Sequence, residues 1–174
     1  MTIQPMRPEH VADAKRVVAA VAQELWGVPG TLDEMLEEFT RRGWRLADLE
    51  DLHGHYFGNG GTFLVLLDGE RVVGTGGVRR IDEETAELKR MWFLSEARGR
   101  GFGRKMLEQL IGWAREASYQ RLRLDVFDPP RQEAAVALYR KVGFVEVPKY
   151  HPDSACQLWM EFRLQPESLR LPPL

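Results

Sequence analysis

The chain has 174 residues, 44% hydrophobic and 29% charged, enough for one domain that buries most of its apolar surface. Its net charge of −2 and pI near 6.1 exclude a nucleic-acid binder working through a broad basic face, which needs many phosphate contacts. Cys156 is the single cysteine, so neither an internal disulfide nor a zinc pattern is expected; MTIQPMRPEH lacks a signal-type apolar core, and no stretch approaches the ~18 apolar residues of a membrane span. These features predict a cytoplasmic chain without membrane contact.

A short strand from Ile3 to Met6 is predicted first. Val11, Ala14, Val18, Val21 and Leu25 then recur at steps of three and four, which predicts an amphipathic helix ending near Gly27. Thr31 stands as an N-cap, with Glu34 completing a capping box for a second helix that runs to about Arg42. From Gly43 to Gly61, Trp44, Tyr56 and Phe57 mix with His53 and His55 without a sustained period, so a long loop is expected. The two histidines lack a third ligand nearby and predict no metal site.

The texture changes at Thr62. FLVLL, then Asp68-Gly69, then VVGTGGVR carries the signal of a hairpin with a two-residue turn. Gly74-Thr75-Gly76-Gly77 predicts a bulged strand with close backbone packing rather than a nucleotide loop, since no helix follows it. A reversal over Ile81 to Glu84 leads into a third strand, TAELKRMWFL.

RGRGFGRKMLEQL follows, with alternating Gly99, Gly101 and Gly103 among Arg98, Arg100, Arg104 and Lys105. Glycines leave backbone N–H groups uncovered, and a helix from 103 to 117, marked by Met106, Leu107, Leu110, Ile111 and Ala114, would place its positive N-terminus beside them. The combination predicts a phosphate cradle. After it come a strand RLRLDVF, a helix AAVALYRKV stopped by Gly143, a strand FVEV and a last strand LWMEFRL with Leu158, Met160, Phe162 and Leu164 on one face. This order is mixed α/β, in a single domain over 1–164 with a tail at 165–174.

Arg98-Gly99-Arg100-Gly101-Phe102-Gly103 resembles the R/Q-x-x-G-x-G/A acyl-CoA signature of the GCN5-related N-acetyltransferase (GNAT) superfamily, between a strand and a helix as in that family. Gln132 to Phe144, QEAAVALYRKVGF, resembles the family's N-x-x-A-x-x-L-Y-x-K-x-G-F block, with Gln132 where asparagine is usual. The resemblance implies a central mixed, mostly antiparallel sheet of about seven strands with about four flanking helices. It also implies acetyl transfer from acetyl-CoA to a primary amine of a small molecule or peptide by direct attack, in a monomer or homodimer, with no metal. Residues 26–60, where the resemblance is weakest, would shape the acceptor pocket; Trp26 and Trp44 would either line it or cap the core.

The resemblance also distributes roles. The backbone of Arg98, Gly99, Arg100, Gly101, Phe102, Gly103 and Arg104 would hold the pyrophosphate, and Gln132 would meet the cofactor through its amide. Met91, Trp92 and Phe93 would line the donor, with a backbone N–H of Met91 or Trp92 for the oxyanion. An alkyl ammonium of pKa ~10.4 is almost wholly protonated at neutral pH, so a base is useful, and Glu87 is the first candidate. Lys89 shares its strand face and would pair with it if the role is structural. Tyr139 is the candidate general acid; its rival role is that of a core tyrosine. A dinucleotide site fails because the third glycine of G-x-G-x-x-G would fall at Arg104. A non-catalytic acyl-CoA-binding module remains as the alternative.

Overall fold

Strand β2 (Thr62–Asp68) is apolar on both faces: Phe63, Val65 and Leu67 turn one way, Leu64 and Leu66 the other, and all five are buried. A strand of that composition needs cover on both sides. In the computed structural model, which describes residues 1–41 and 46–164, it has that cover. Helix α1 (Val11–Trp26) packs Ala14, Val17, Val18 and Val21 against Phe63, Val65 and Leu67, while helix α5 (Phe102–Glu116) packs Met106, Leu107, Leu110 and Ile111 on the side of Leu64 and Leu66. Each such side chain contributes about 1.5–3 kcal/mol on burial.

Among the described residues, seven strands form one sheet in the order β1-β2-β3-β4-β5-β7-β6. They are β1 (Thr2–Pro5), β2, β3 (Arg71–Arg80), β4 (Thr85–Phe93), β5 (Arg121–Val126), β6 (Val145–Glu146) and β7 (Leu158–Arg163). Every neighbouring pair is antiparallel except β4 and β5, which are parallel and joined through α5. This is the mixed, mostly antiparallel sheet that was expected. Helix α6 (Glu133–Val142) lies on the same face as α5, adding Val136 and Tyr139 to that core.

Local signals explain most boundaries. α1 stops at Gly27, whose φ of +63° is the left-handed C-cap conformation. The capping box of α2 (Leu32–Arg41) is formed: Thr31 N–H donates to Glu34 Oε2 at 2.6 Å and Glu34 N–H to Thr31 Oγ1 at 3.2 Å. The first hairpin turns on Gly69 and Glu70, one residue later than expected, because Asp68 pairs with Arg71 and puts Gly69, with φ +61°, at the first central position. The stretch expected as a long loop contains two single-turn helices, α3 (Ala47–Glu50) and α4 (Leu52–His55), too short to show a period. Leu49 and Tyr56 anchor them in the α1-side core. Trp44 and the tail at 165–174 lie outside the described residues.

Two irregularities shape the site. Strand β3 shifts register against β4 between Thr75 and Gly77, and opposite that shift Arg90 takes a φ of +58°, unusual for a residue with a side chain. The bulged glycine run also explains its composition: a Cβ on Gly74 would stand 2.5 Å from Phe93, and one on Gly76 2.7 Å from the sulfurs of Met91 and Met106. The second irregularity is a split. β4 and β5 pair only over Thr85–Glu87 with Arg121–Arg123; beyond Glu87 the ladder ends and the strands part.

Candidate active site

The loop that leaves β4 and opens α5 is held in shape by glycine conformation rather than by crowding. Gly99 has φ +69° and Gly101, the N-cap of α5, φ +80°, and a Cβ at either would meet nothing within 4 Å. Gly103 lies inside the first turn, where Leu138 and Phe93 stand 3.6 and 3.7 Å from a would-be Cβ. The first-turn N–H groups of α5 have no intrahelical acceptors and form the anion-binding end of the helix.

The side chains of the loop divide the labour. Arg98 is used for architecture: its Nε donates to the Phe93 carbonyl at 2.7 Å and its Nη2 to Glu24 Oε2 at 2.9 Å, tying the loop to the end of α1. The Arg98 hydrogen bond holds the Glu24 carboxyl below the usual range. Arg104 pairs with Glu108 one turn on, at 2.7 Å. Arg100 and Lys105 both lie over the Phe102 ring, each 5.5 Å from its centroid, and supply the positive field beside the cradle.

A cleft of about 390 Å³ runs from this loop into the split. Met91, Trp92, Phe93, Arg98, Gly99, Gly101, Phe102, Gly103, Arg104, Gln132 and Tyr139 line it together. Arg100 and Glu87 are the proposed site residues that do not. Its far wall contains groups with no signal in the sequence: Val21 and Leu25 from α1, and Arg131, whose Nη1 donates to the Leu25 carbonyl at 2.6 Å. Gln132 caps α6, with its side-chain oxygen accepting the Asp128 N–H at 3.0 Å, so the NH₂ of that amide is the part able to meet a ligand.

On the other side of the split lies a second cleft of about 260 Å³. It shares Met91, Trp92, Gln132 and Tyr139 with the first and adds Trp26, Lys89, Asp125, Phe127 and Cys156. Lys89 Nζ sits 2.8 Å from Asp125 Oδ1. Burial pushes the Asp125 carboxyl up, but the charge and hydrogen bond of Lys89 outweigh it and hold the group below its usual range. Tyr139 lies between the two clefts; burial, then the Asp125 charge, push its pKa far above that of a free phenol, so it keeps its proton.

Glu87 occupies the last position of β4 that pairs with β5 and is fully buried. Arg79 donates to its Oε2 at 2.8 Å, Tyr150 hydroxyl to its Oε1 at 3.1 Å, His151 Nε2 lies 3.0 Å from the same oxygen and Lys89 Nζ 3.6 Å. Both oxygens are therefore engaged behind the cleft wall. Alternation along β4 put Lys89 beside Glu87 as expected; the partners from the loop between β6 and β7 were not legible, since nothing in their spacing points to position 87. Among the described residues no group of three or more His, Cys, Asp or Glu side chains is placed to hold a metal ion, and no helix is long and apolar enough to cross a membrane.

A glycine loop that opens a helix beside a split in the sheet thus defines the candidate site. The chain belongs to the GNAT acetyltransferase family: the profile of the Acetyltransferase (GNAT) family matches residues 30–144. It is 30% identical over 111 residues to the uncharacterized N-acetyltransferase YjgM of Escherichia coli, covering 61% of this chain and 65% of that protein. It is 38% identical over 92 residues to an IAA acetyltransferase of Azospirillum brasilense, covering 52% and 58%. The chain thus spans less than two thirds of the length of these curated relatives. Among solved structures, a GNAT-family acetyltransferase of Staphylococcus aureus superposes with a TM-score of 0.77 at 19% identity, covering 94% of this chain and 99% of that one. The PaiA N-acetyltransferase of Thermoplasma acidophilum, solved with coenzyme A, superposes with a TM-score of 0.71 at 17% identity, covering 93% and 98%.

Proposed function

We propose that this chain moves an acetyl group from acetyl-CoA to a primary amine of a small molecule or peptide by direct attack. The observation that carries the reading is the split between β4 and β5, open to the glycine cradle on one side and to the Lys89–Asp125 cleft on the other. A donor held by the N–H groups of Gly99 to Arg104 and an amine entering by the second cleft would meet at the shared wall.

In that reaction the amine nitrogen bonds to the acyl carbon as the C–S bond breaks; the nitrogen gives its proton to solvent in the open second cleft, and the thiolate takes one from Tyr139, which solvent restores. The backbone N–H of Met91, which a continuous ladder with β5 would have used, is the donor for the oxyanion; Trp92, paired with Thr75, faces β3 instead. Tyr139, which lines both clefts, is the acid for the thiolate; burial makes it a weaker acid than a free phenol, so its place at the shared wall and not its pKa supports the role. Glu87 acts through its neighbours: it fixes Lys89, which fixes Asp125 in the cleft wall, and it anchors Tyr150 and His151. It is a positioning residue in this account.

The test is release of free thiol from acetyl-CoA by the purified protein with a panel of amines. Amine-dependent release supports the reading. Binding of acetyl-CoA without release for any amine would favour the non-catalytic acyl-CoA-binding module instead.

A further inference from the structure

Three aromatic rings from separate parts of the chain meet at the second cleft. Trp26, the last residue of α1, stands edge-on to Trp92 of β4, with centroids 6.3 Å apart at 69°, and to Phe127, just after β5, at 5.8 Å and 74°. Phe127 is nevertheless 47% exposed, the second most exposed of the large hydrophobic residues among those described. Phe127 belongs to neither of the two buried core clusters, so core packing does not account for its place in this corner.

The charges in the same cleft are already matched. Lys89 is paired with Asp125 at 2.8 Å, and Arg90 with Asp48 at 2.8 Å. A ligand with several charges would have to break one of these pairs to bind, whereas a ligand with a flat apolar body and a single amine would not. The volume, about 260 Å³, lies at the small end for ligand sites.

Resting on the acetyltransferase reading above, we propose that the acceptor is an arylalkylamine: a small primary amine whose ring packs against Trp26 and Phe127 while its nitrogen points to the wall shared with the donor cleft. Aromatic contacts of this edge-to-face kind favour one ring over an alkyl chain of equal area. Phe127 is then a specificity-determining residue, and the ring corner replaces the charged subsites that a polycationic acceptor would need.

The experiment compares 2-phenylethylamine and tryptamine with n-butylamine, spermidine and kanamycin in the thiol-release assay, alongside calorimetry of acetyl-CoA binding. The expected result is a kcat/KM for the two aromatic amines about 10-fold or more above the others. Phe127→Ala should raise the KM for tryptamine about 10-fold and shrink its advantage over n-butylamine, and Phe127→Tyr, which keeps the ring, should restore it. Preference for spermidine or kanamycin would overturn the inference while leaving acetyl transfer intact. A Phe127→Ala variant that loses acetyl-CoA affinity without a change in tryptamine KM would also overturn it, by assigning the rings to the donor. No thiol release with any amine would remove the acetyltransferase reading, and this one with it.

Discussion

Tyr139, a buried phenol that lines both clefts, and Glu87, a buried carboxylate at the end of the β4–β5 ladder, make different predictions. Tyr139→Phe removes the phenolic proton and leaves the ring packed on Phe144, 5.8 Å away between centroids. Acetyl-CoA affinity and melting temperature should hold, while kcat falls about 10²–10⁴-fold, as for loss of a general acid. Loss of acetyl-CoA binding together with turnover would make Tyr139 a structural residue. Glu87→Gln should lower stability by about 1.5–3 kcal/mol, because Arg79 loses a charged partner. The dependence of kcat on acceptor pKa separates the roles: loss of a base costs more with amines that are more fully protonated, whereas loss of a positioning residue costs the same factor with every amine. Asp48 provides a pH test. Burial pushes its carboxyl up, but hydrogen bonds from Arg90 at 2.8 and 3.0 Å and the Tyr56 hydroxyl at 2.7 Å outweigh that and hold it below the usual range. A carboxyl whose folded pKa is depressed stabilises the fold above its unfolded value of ~3.9, and that contribution is lost as pH falls through the folded value. Asp48→Asn should therefore melt well below the parent protein at pH 7, with the difference shrinking below about pH 4. A difference that persists unchanged into acid would contradict the ion-pair account.

The elements were legible where their information is local. Period, caps and turn glycines fixed α1, α2, α5, α6 and the first hairpin to within a residue or two, since Gly27, Thr31 with Glu34, and Gly143 with φ +116° each act within one turn. The strand expected over FVEV shrinks to Val145–Glu146, its exposed end next to Pro148. What was not legible depends on pairing across distance. The end of the β4–β5 ladder at Glu87 is a relation between strands with α5 between them, and neither strand changes its residue pattern there. The second cleft is hidden for the same reason: Trp26, Asp125 and Cys156 come together from three parts of the chain. The loop of the cradle allows an element-scale test. A Cβ at Gly101 meets nothing, so Gly101→Ala bears only the cost of a left-handed conformation, about 1–2 kcal/mol, together with a weaker donor site if the loop shifts to relieve it. A variant with the parent's melting temperature would contradict the strained-loop account.

At the scale of the molecule, the cradle is clamped between layers that belong to different cores. Arg98 bonds to Glu24 and Arg131 to the Leu25 carbonyl, so the last turn of α1 is fastened both to the loop before α5 and to the loop before α6. These fastenings hold Val21 and Leu25 of α1 against the first cleft, so its wall draws on the helix of one core and the loops of the other. The measurement that bears most directly on the account is calorimetric titration of acetyl-CoA into the protein and into Gly101→Asp, with circular dichroism confirming that the variant is folded. Gly101→Asp sets a side chain and a negative charge at the N-cap of α5, where the proposed function puts the pyrophosphate. The account predicts one acetyl-CoA per chain for the parent protein and an affinity lower by about 10-fold or more for the folded variant. Equal affinity in both would contradict it.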